Sequence, residues 1–326
     1  MIDAHREVLP SGFPLAPRPG WPPMQQDIDF SALDPSQARK VLPSWLAGHI
    51  TDRDTATRVE QALCPLFDGW SDDQVAAQLA HLTRAPEAAE PRYAEPTCRL
   101  VTRTWADHIA LPGALSGLDH LRAAVEAGPT IVLCNHLSYI DTTGTDMLLH
   151  RAGASDLADR LVALAGPKVH ASPFRSYATS CLNTLPTPQS AAVTGASRAE
   201  MRALFRQALA SIRMAAELMV EGRILLLYAE GTRSRTGRLQ PFLKAVARYL
   251  DVPGARVVPM ASWGSERIMP IGSEQITPGP MHLHIAPSFD VAACDGVRGA
   301  LARGWQAIAE HLPERHTPLP NTEALR

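Results

Sequence analysis

The chain has 326 residues, 45% hydrophobic and 20% charged, which suits a folded protein with one large domain or two unequal ones. Its formal net charge of −2 provides no general basic excess for nucleic acid, so contact with anionic lipid requires a local patch. Five cysteines, at 64, 98, 134, 181 and 294, are odd in number and lack metal-site or paired spacing. That pattern disfavours a disulfide framework or zinc site and fits reduced thiols in the cytoplasm.

Residues 1–27 are rich in proline from Pro10 to Pro23, have little periodicity, and read as an extended arm. They contain no apolar core of a signal peptide. No run of about 18 apolar residues occurs, so a spanning helix is not expected, whereas a surface-lying amphipathic segment is compatible with the text.

From 28 to 95 the spacing is helical. Asp34-Pro35 and Ser71-Asp72-Asp73 are helix starts; Val59, Leu63, Leu66 and Phe67 share one face, and Val75, Leu79 and Leu82 another. This segment is expected to cap a larger core. A helix over 100–109 and an amphipathic helix over 118–127, ended by Gly128, lead into the buried strand Thr130–Cys134. Beyond it the pattern predicts a helix to about residue 151, an apolar run at Leu161–Ala165, a long helix over 198–221, and a strand over 223–228. Further strands follow over 255–260 and His282–Ile285. Strands alternating with helices predict an α/β domain over 96–315, a largely parallel mixed sheet covered by helices, with 316–326 as a C-terminal tail. In such sheets ligands bind beyond the carboxyl ends of the strands.

Chemistry concentrates at two strand ends. Asn135-His136-Leu137-Ser138-Tyr139-Ile140-Asp141 follows the first strand, so one loop and the next helical turn can hold imidazole and carboxylate together. Imidazole removes a hydroxyl proton near neutral pH, and the carboxylate orients the ring and stabilises its charged form. Glu230-Gly231-Thr232-Arg233-Ser234-Arg235-Thr236-Gly237-Arg238 follows the strand ending at Tyr228. Its glycine lets backbone approach a ligand, and Arg233, Arg235 and Arg238 are planar donors suited to phosphate, although exposed arginines are as often plain solvated surface. Ser138 is expected to cap the helix carrying Asp141, and Cys134 to be a small buried group. His282 and His284 share a strand face without a third ligand, so no metal site is expected.

Together, in this order, the two loops resemble the glycerolipid acyltransferase family, which includes glycerol-3-phosphate and lysophosphatidate acyltransferases. Asn135, His136, Ser138 and Asp141 match its Asn-His-x-Ser-x-x-Asp motif, the His-x4-Asp core. Glu230 to Arg235 and Gly237 match its Glu-Gly-Thr-Arg-Ser motif, continued by Pro241-Phe242-Leu243-Lys244; Val258-Pro259-Met260 fits a short fourth motif. The resemblance spans about residues 99–290, and the helical segment before it is similar in layout to the soluble plastid-type members.

The resemblance implies that His136 is the general base and Asp141 its orienting carboxylate. The acyl group would come from an acyl carrier protein or coenzyme A thioester, with no permanently bound cofactor and no metal. Glu230, Gly231, Thr232, Arg233, Arg235 and Lys168 would serve the acceptor and its phosphate. The acceptor would be a hydroxyl of glycerol-3-phosphate, a lysophospholipid or a related alcohol, met in the cytoplasm or at a membrane surface, with no nucleic acid involved. Oxyanion donors are expected among the amides near Gly231 or at the helix start after Asp141. The middle motif departs from the family: no basic residue follows Leu185, leaving Lys168, His170 and Arg175 as substitutes. A tailoring acyltransferase acting on a non-phosphorylated metabolite, a thioesterase, and a non-catalytic carrier- or lipid-binding module are the alternatives.

Overall fold

The computed structural model describes residues 28–83, 90–111, 113–188 and 197–326; the proline-rich arm lies outside them. The first helices begin where the sequence supplies caps. Asp34 accepts from Gln37 N while the Gln37 side chain accepts from Asp34 N, opening α1 (Pro35–Ala47) with a reciprocal capping box. Asp52 caps α2 (Arg53–Asp68), and Ser71 and Gln74 exchange bonds ahead of α3 (Asp72–Thr83). Val59, Leu63, Phe67 and Val75 are fully buried, as their spacing predicts, while Leu66 packs at the rim.

The chain continues through α4 (Pro96–Ile109), β1 (Ala110–Leu111), β2 (Leu115–Ser116), α5 (Leu118–Ala127), β3 (Thr130–Cys134), α6 (Asp141–Arg151), α7 (Ser155–Arg160) and β4 (Leu161–Ala165). Then come α8 (Pro173–Ser180), β5 (Thr184–Pro186), α9 (Arg198–Val220), β6 (Ile224–Tyr228), β7 (Arg256–Trp263), α10 (Ser265–Ile268), β8 (Gly279–Pro280), β9 (His282–Ile285), β10 (Phe289–Asp290) and α11 (Gly296–His311). The main sheet has the order β2-β9-β7-β3-β6-β4-β5, with β10 beside β7. Pairings are parallel except β7 with β9 and β7 with β10. The mixed, largely parallel sheet read from the sequence is the one observed.

Strand residues alternate between two cores, as the period-2 geometry of a strand requires. Val132, Leu226 and Val258 face a core shared with Leu42, Trp45, Leu63 and Trp105 of the N-terminal helices. Ile131, Leu133, Leu225 and Val257 face the other, built with Ala215, Leu218 and Met219 of α9 and Leu301, Trp305 and Ile308 of α11. The helices before residue 109 thus share one core with α5, α6, α7 and α8 on the same face of the sheet. The sequence pattern does not mark β1, β2, α7, α8, β5, α10, β8, β10 or α11; all but α11 are short, and the apolar positions of α11 are spaced among alanines and glycines.

The candidate active site

Strands β3 and β6 end in register, Cys134 opposite Tyr228, while β7 passes Met260 beside Cys134 and runs on to Trp263. Parallel strands in register deliver the loops that follow them to the same end of the sheet, so the His/Asp and Glu-Gly segments emerge side by side. Asn135 ties the first loop to β7, its side-chain oxygen accepting from Ser262 N and its amide donating to Ser262 O, both at 2.8 Å. Ser234 N donates to His136 O at 2.8 Å, joining the two loops directly.

Within the first loop, His136 Nδ1 donates to Asp141 Oδ2 at 2.8 Å. The same oxygen accepts from Leu137 N at 2.8 Å and Ser138 N at 3.0 Å, so the carboxylate is fixed before it meets the ring. Asp141 is buried, whereas the His136 side chain is 19% exposed. The expected capping role of Ser138 is corrected: its hydroxyl donates to Met269 O at 2.7 Å and accepts from Ile140 N, and α6 starts at Asp141 without a side-chain cap. Tyr228 stacks on the imidazole at 4.2 Å between centroids, and its hydroxyl bonds Thr142 at 2.9 Å. Burial raises the Tyr228 hydroxyl pKa well above its ordinary value, leaving a neutral ring against the imidazole.

Glu230 is turned inward, away from solvent. It is completely buried, with Oε1 accepting from His136 N at 2.8 Å and Oε2 from Gln240 N at 3.2 Å. Burial pushes its pKa up to about 8 against the opposing pull of those two amides. These hydrogen bonds fasten the two loops together, so Glu230 shapes the site from behind the loops. The Gly231 amide is also committed, donating to Tyr228 O at 3.0 Å, so it is not an oxyanion donor. At α6, by contrast, the first-turn amides of Thr142 and Thr143 have no preceding helical turn to bond, and both residues line the cavity described below.

The predicted phosphate ligands separate. Arg233 lies over the Tyr139 ring at 3.5 Å from its centroid, and its Nη1 is buried without a partner among the described residues. Desolvation lowers the Arg233 pKa, with Tyr139 opposing and Arg175 reinforcing the shift. Arg175, on α8, lies against the same ring at 4.3 Å and pairs with Glu274 at 2.9 Å. Lys168 is exposed on a 3-10 turn, outside the cavity lining, and Thr232 and Arg235 are exposed on the loop. Of the basic substitutes in the divergent middle segment, Arg175 is the one brought to His136.

From His136 and Tyr139 an apolar cavity with about 950 Å³ of empty space, its open mouth included, runs beneath the sheet end. Its wall combines Ile140 and Met269 near the histidine with Leu46, Trp105, Phe174 and Tyr177 from α1, α4 and α8. Sequence reading missed this wall, since its residues are ordinary helix-core positions. It also missed the C-terminal strap: Phe242 N donates to Ala324 O, Arg326 N to Phe242 O, and the Arg326 guanidinium to Glu230 O at 2.9 Å. Among the described residues, no group of three or more His, Cys, Asp or Glu is placed to hold a metal, and no helix is long and apolar enough to cross a membrane.

The family model described as Acyltransferase matches residues 114–263. Over 98 residues the chain is 34% identical to the chloroplastic 1-acyl-sn-glycerol-3-phosphate acyltransferase BAT2 of Brassica napus, covering 28% of each protein. Over 60 residues it is 42% identical to the chloroplastic 1-acyl-sn-glycerol-3-phosphate acyltransferase LPAT1 of Arabidopsis thaliana, covering 18% of this chain and 17% of that one. The chain therefore aligns with less than a third of the length of either relative. The crystal structure of the 1-acyl-sn-glycerophosphate acyltransferase PlsC from Thermotoga maritima superposes with a TM-score of 0.48 at 16% identity, covering 83% of this chain and 95% of that one. The match over 114–263 contains both long motifs, so this stretch of the chain is an acyltransferase domain similar to those of the 1-acyl-sn-glycerol-3-phosphate acyltransferases.

Proposed function

We propose that this protein transfers an acyl group from an acyl carrier protein or coenzyme A thioester to a hydroxyl of a phosphate-bearing glycerolipid acceptor, in the class of lysophosphatidate. The observation that carries this reading is an imidazole with Nδ1 held by Asp141 and Nε2 without a protein partner among the described residues, on a ring that lines a deep apolar cavity. Nε2 takes the acceptor's hydroxyl proton as its oxygen attacks the thioester carbonyl. The resulting oxyanion is met by the Thr142 and Thr143 amides at the positive end of α6. Collapse breaks the carbon–sulfur bond, and the imidazolium returns its proton to the departing thiolate, so no proton is gained or lost overall. Asp141 stabilises the imidazolium without itself becoming protonated.

The acyl chain occupies the cavity walled by Leu46, Trp105, Phe174 and Tyr177. Arg233 and Arg175, gathered on Tyr139, hold the acceptor's phosphate, with Lys168 and Arg235 contributing only long-range charge. The two guanidinium groups favour an anionic acceptor over a neutral metabolite. The reaction belongs to the cytoplasm, with acceptor drawn from a membrane surface.

The test is incubation of purified protein with carrier-protein and coenzyme A thioesters against acceptors with and without phosphate, reading products by mass. Acceptor-dependent thiol release with acylated phosphate-bearing product is expected, and His136→Ala should lower it about 100- to 10,000-fold while leaving the fold intact. Thiol release without acceptor would make the protein a thioesterase, and equal use of neutral alcohols a tailoring enzyme. Binding of thioester with no turnover would make it a binding module.

A further inference from the structure

We infer that the first half of α9 is a docking surface for an anionic lipid bilayer. The Tyr249 hydroxyl bonds both Thr187, just past the end of β5, at 3.3 Å, and Ser211 of α9 at 3.2 Å. Ser211 therefore lies level with the carboxyl end of the sheet. Since α9 runs from the carboxyl end of β5 back to the start of the parallel strand β6, residues 198–210 project beyond the sheet on the side where His136 sits. At 1.5 Å per residue the overhang is about 20 Å. The rear half packs through Ser211, Ala215, Leu218 and Met219, whereas none of residues 198–210 is buried.

The overhang is not simply polar. Met201 and Phe205, one turn apart, are 41% and 55% exposed, and Leu209 and Ile212 continue their arc at i+8 and i+11. Arg198, Arg202 and Arg206 run at i, i+4 and i+8 along the flank of that arc, joined by Arg213, while Glu200 is the lone acid between 198 and 216 and turns to the far side. Isolated exposed apolar residues need no explanation. An apolar arc with arginines along its edge, on a helix overhanging the catalytic end, has the chemistry of an interface-lying helix, with apolar groups at the acyl boundary and guanidiniums on anionic headgroups. The net charge of −2 for the whole chain makes this concentration of arginine a local patch rather than a general property.

The surface rests on the proposed function only in its choice of a bilayer as the source of acceptor, and it can be tested without turnover. The full chain is floated with vesicles of phosphatidylcholine alone and of phosphatidylcholine mixed with phosphatidylglycerol, at low and high salt. Alongside it go Met201→Gln/Phe205→Gln and Arg202→Gln/Arg206→Gln, exposed changes to a good helix former that preserve the fold by circular dichroism. The wild type should float with the anionic vesicles and detach with salt, and each double variant should lose about fivefold or more of the bound fraction. Acylation of a soluble short-chain acceptor should be unchanged in both variants, whereas acylation of a vesicle-embedded acceptor should fall. Equal flotation of variants and wild type would overturn the inference. So would a wild-type dimer that Met201→Gln/Phe205→Gln turns into a monomer, since a second copy would then cover the arc, or arginine-dependent binding of an acidic carrier protein without vesicle binding.

Discussion

The ring of Tyr228 lies nearly parallel to that of His136, 23° between planes and 4.2 Å between centroids, and its hydroxyl is anchored to Thr142 on the helix that begins with Asp141. Asp141 fixes one edge of the imidazole; Tyr228 fixes its face. Tyr228→Phe keeps the flat surface and should retain most activity. Tyr228→Leu frees the ring to tilt, and misplacement of a reacting group by about 1 Å can cost about 100-fold. Steady-state kinetics should therefore show a fall in kcat for the leucine variant that the phenylalanine variant largely avoids.

Glu230 makes stability fall with pH. Burial raises its pKa from 4.5 to about 8, so between these values the folded protein retains a proton that the unfolded chain releases. The unfolding free energy contributed by this group is greatest below 4.5 and declines as pH rises toward 8. Glu230→Gln removes the titration, so urea unfolding across this window should lose that downward slope. It should also lower activity, because a carboxamide has one acceptor oxygen for the two amides of His136 and Gln240.

Gly231 has φ of +72°, and a Cβ there would sit 2.2 Å from Leu243 Cδ1. Gly231→Ala therefore combines a left-handed backbone, costing about 1–2 kcal/mol for a residue with a Cβ, with displacement of a side chain behind the loop. Thermal unfolding should report the loss, and turnover should drop as the loop shifts against His136.

Asp146, on α6, is buried between two arginines of α4: Arg99 at 2.6 Å and Arg103 at 2.9 Å. This group joins the N-terminal helices to the helix that carries Asp141. Asp146→Ala leaves two guanidiniums short of their buried partner and should cost about 3–5 kcal/mol. Denaturant titration measures it; a change below about 1 kcal/mol, the range of a surface pair, would show the cluster to be solvated.

Arg175 and Arg233 share the Tyr139 ring and are expected to share an acceptor phosphate. Arg175→Gln and Arg233→Gln should each raise KM for a phosphate-bearing acceptor by about 10- to 100-fold, in keeping with about 1.5–3 kcal/mol for a hydrogen bond to a charged group. Neutral acceptors should be little affected. Lys168→Gln, at an exposed position, should leave both nearly unchanged.

The sequence by itself determined what depends on near neighbours. Continuous apolar runs placed β3 and β6, because a central strand is buried on both faces, and helical spacing placed α5 and α9. The His136–Asp141 pair was equally legible, since five residues of loop and first turn suffice to close it. Tertiary structure decided whatever joins residues distant in the chain. Glu230 meets the His136 amide across 94 positions only because β3 and β6 pair in register. Ser138 turns from its expected cap to Met269, and Arg175 rather than Lys168 reaches the site, because α8 packs there. The apolar cavity draws its walls from α1, α4 and α8, whose side chains look like any helix core in sequence. Periodicity tells a residue to be buried; only the packing of layers tells it against what.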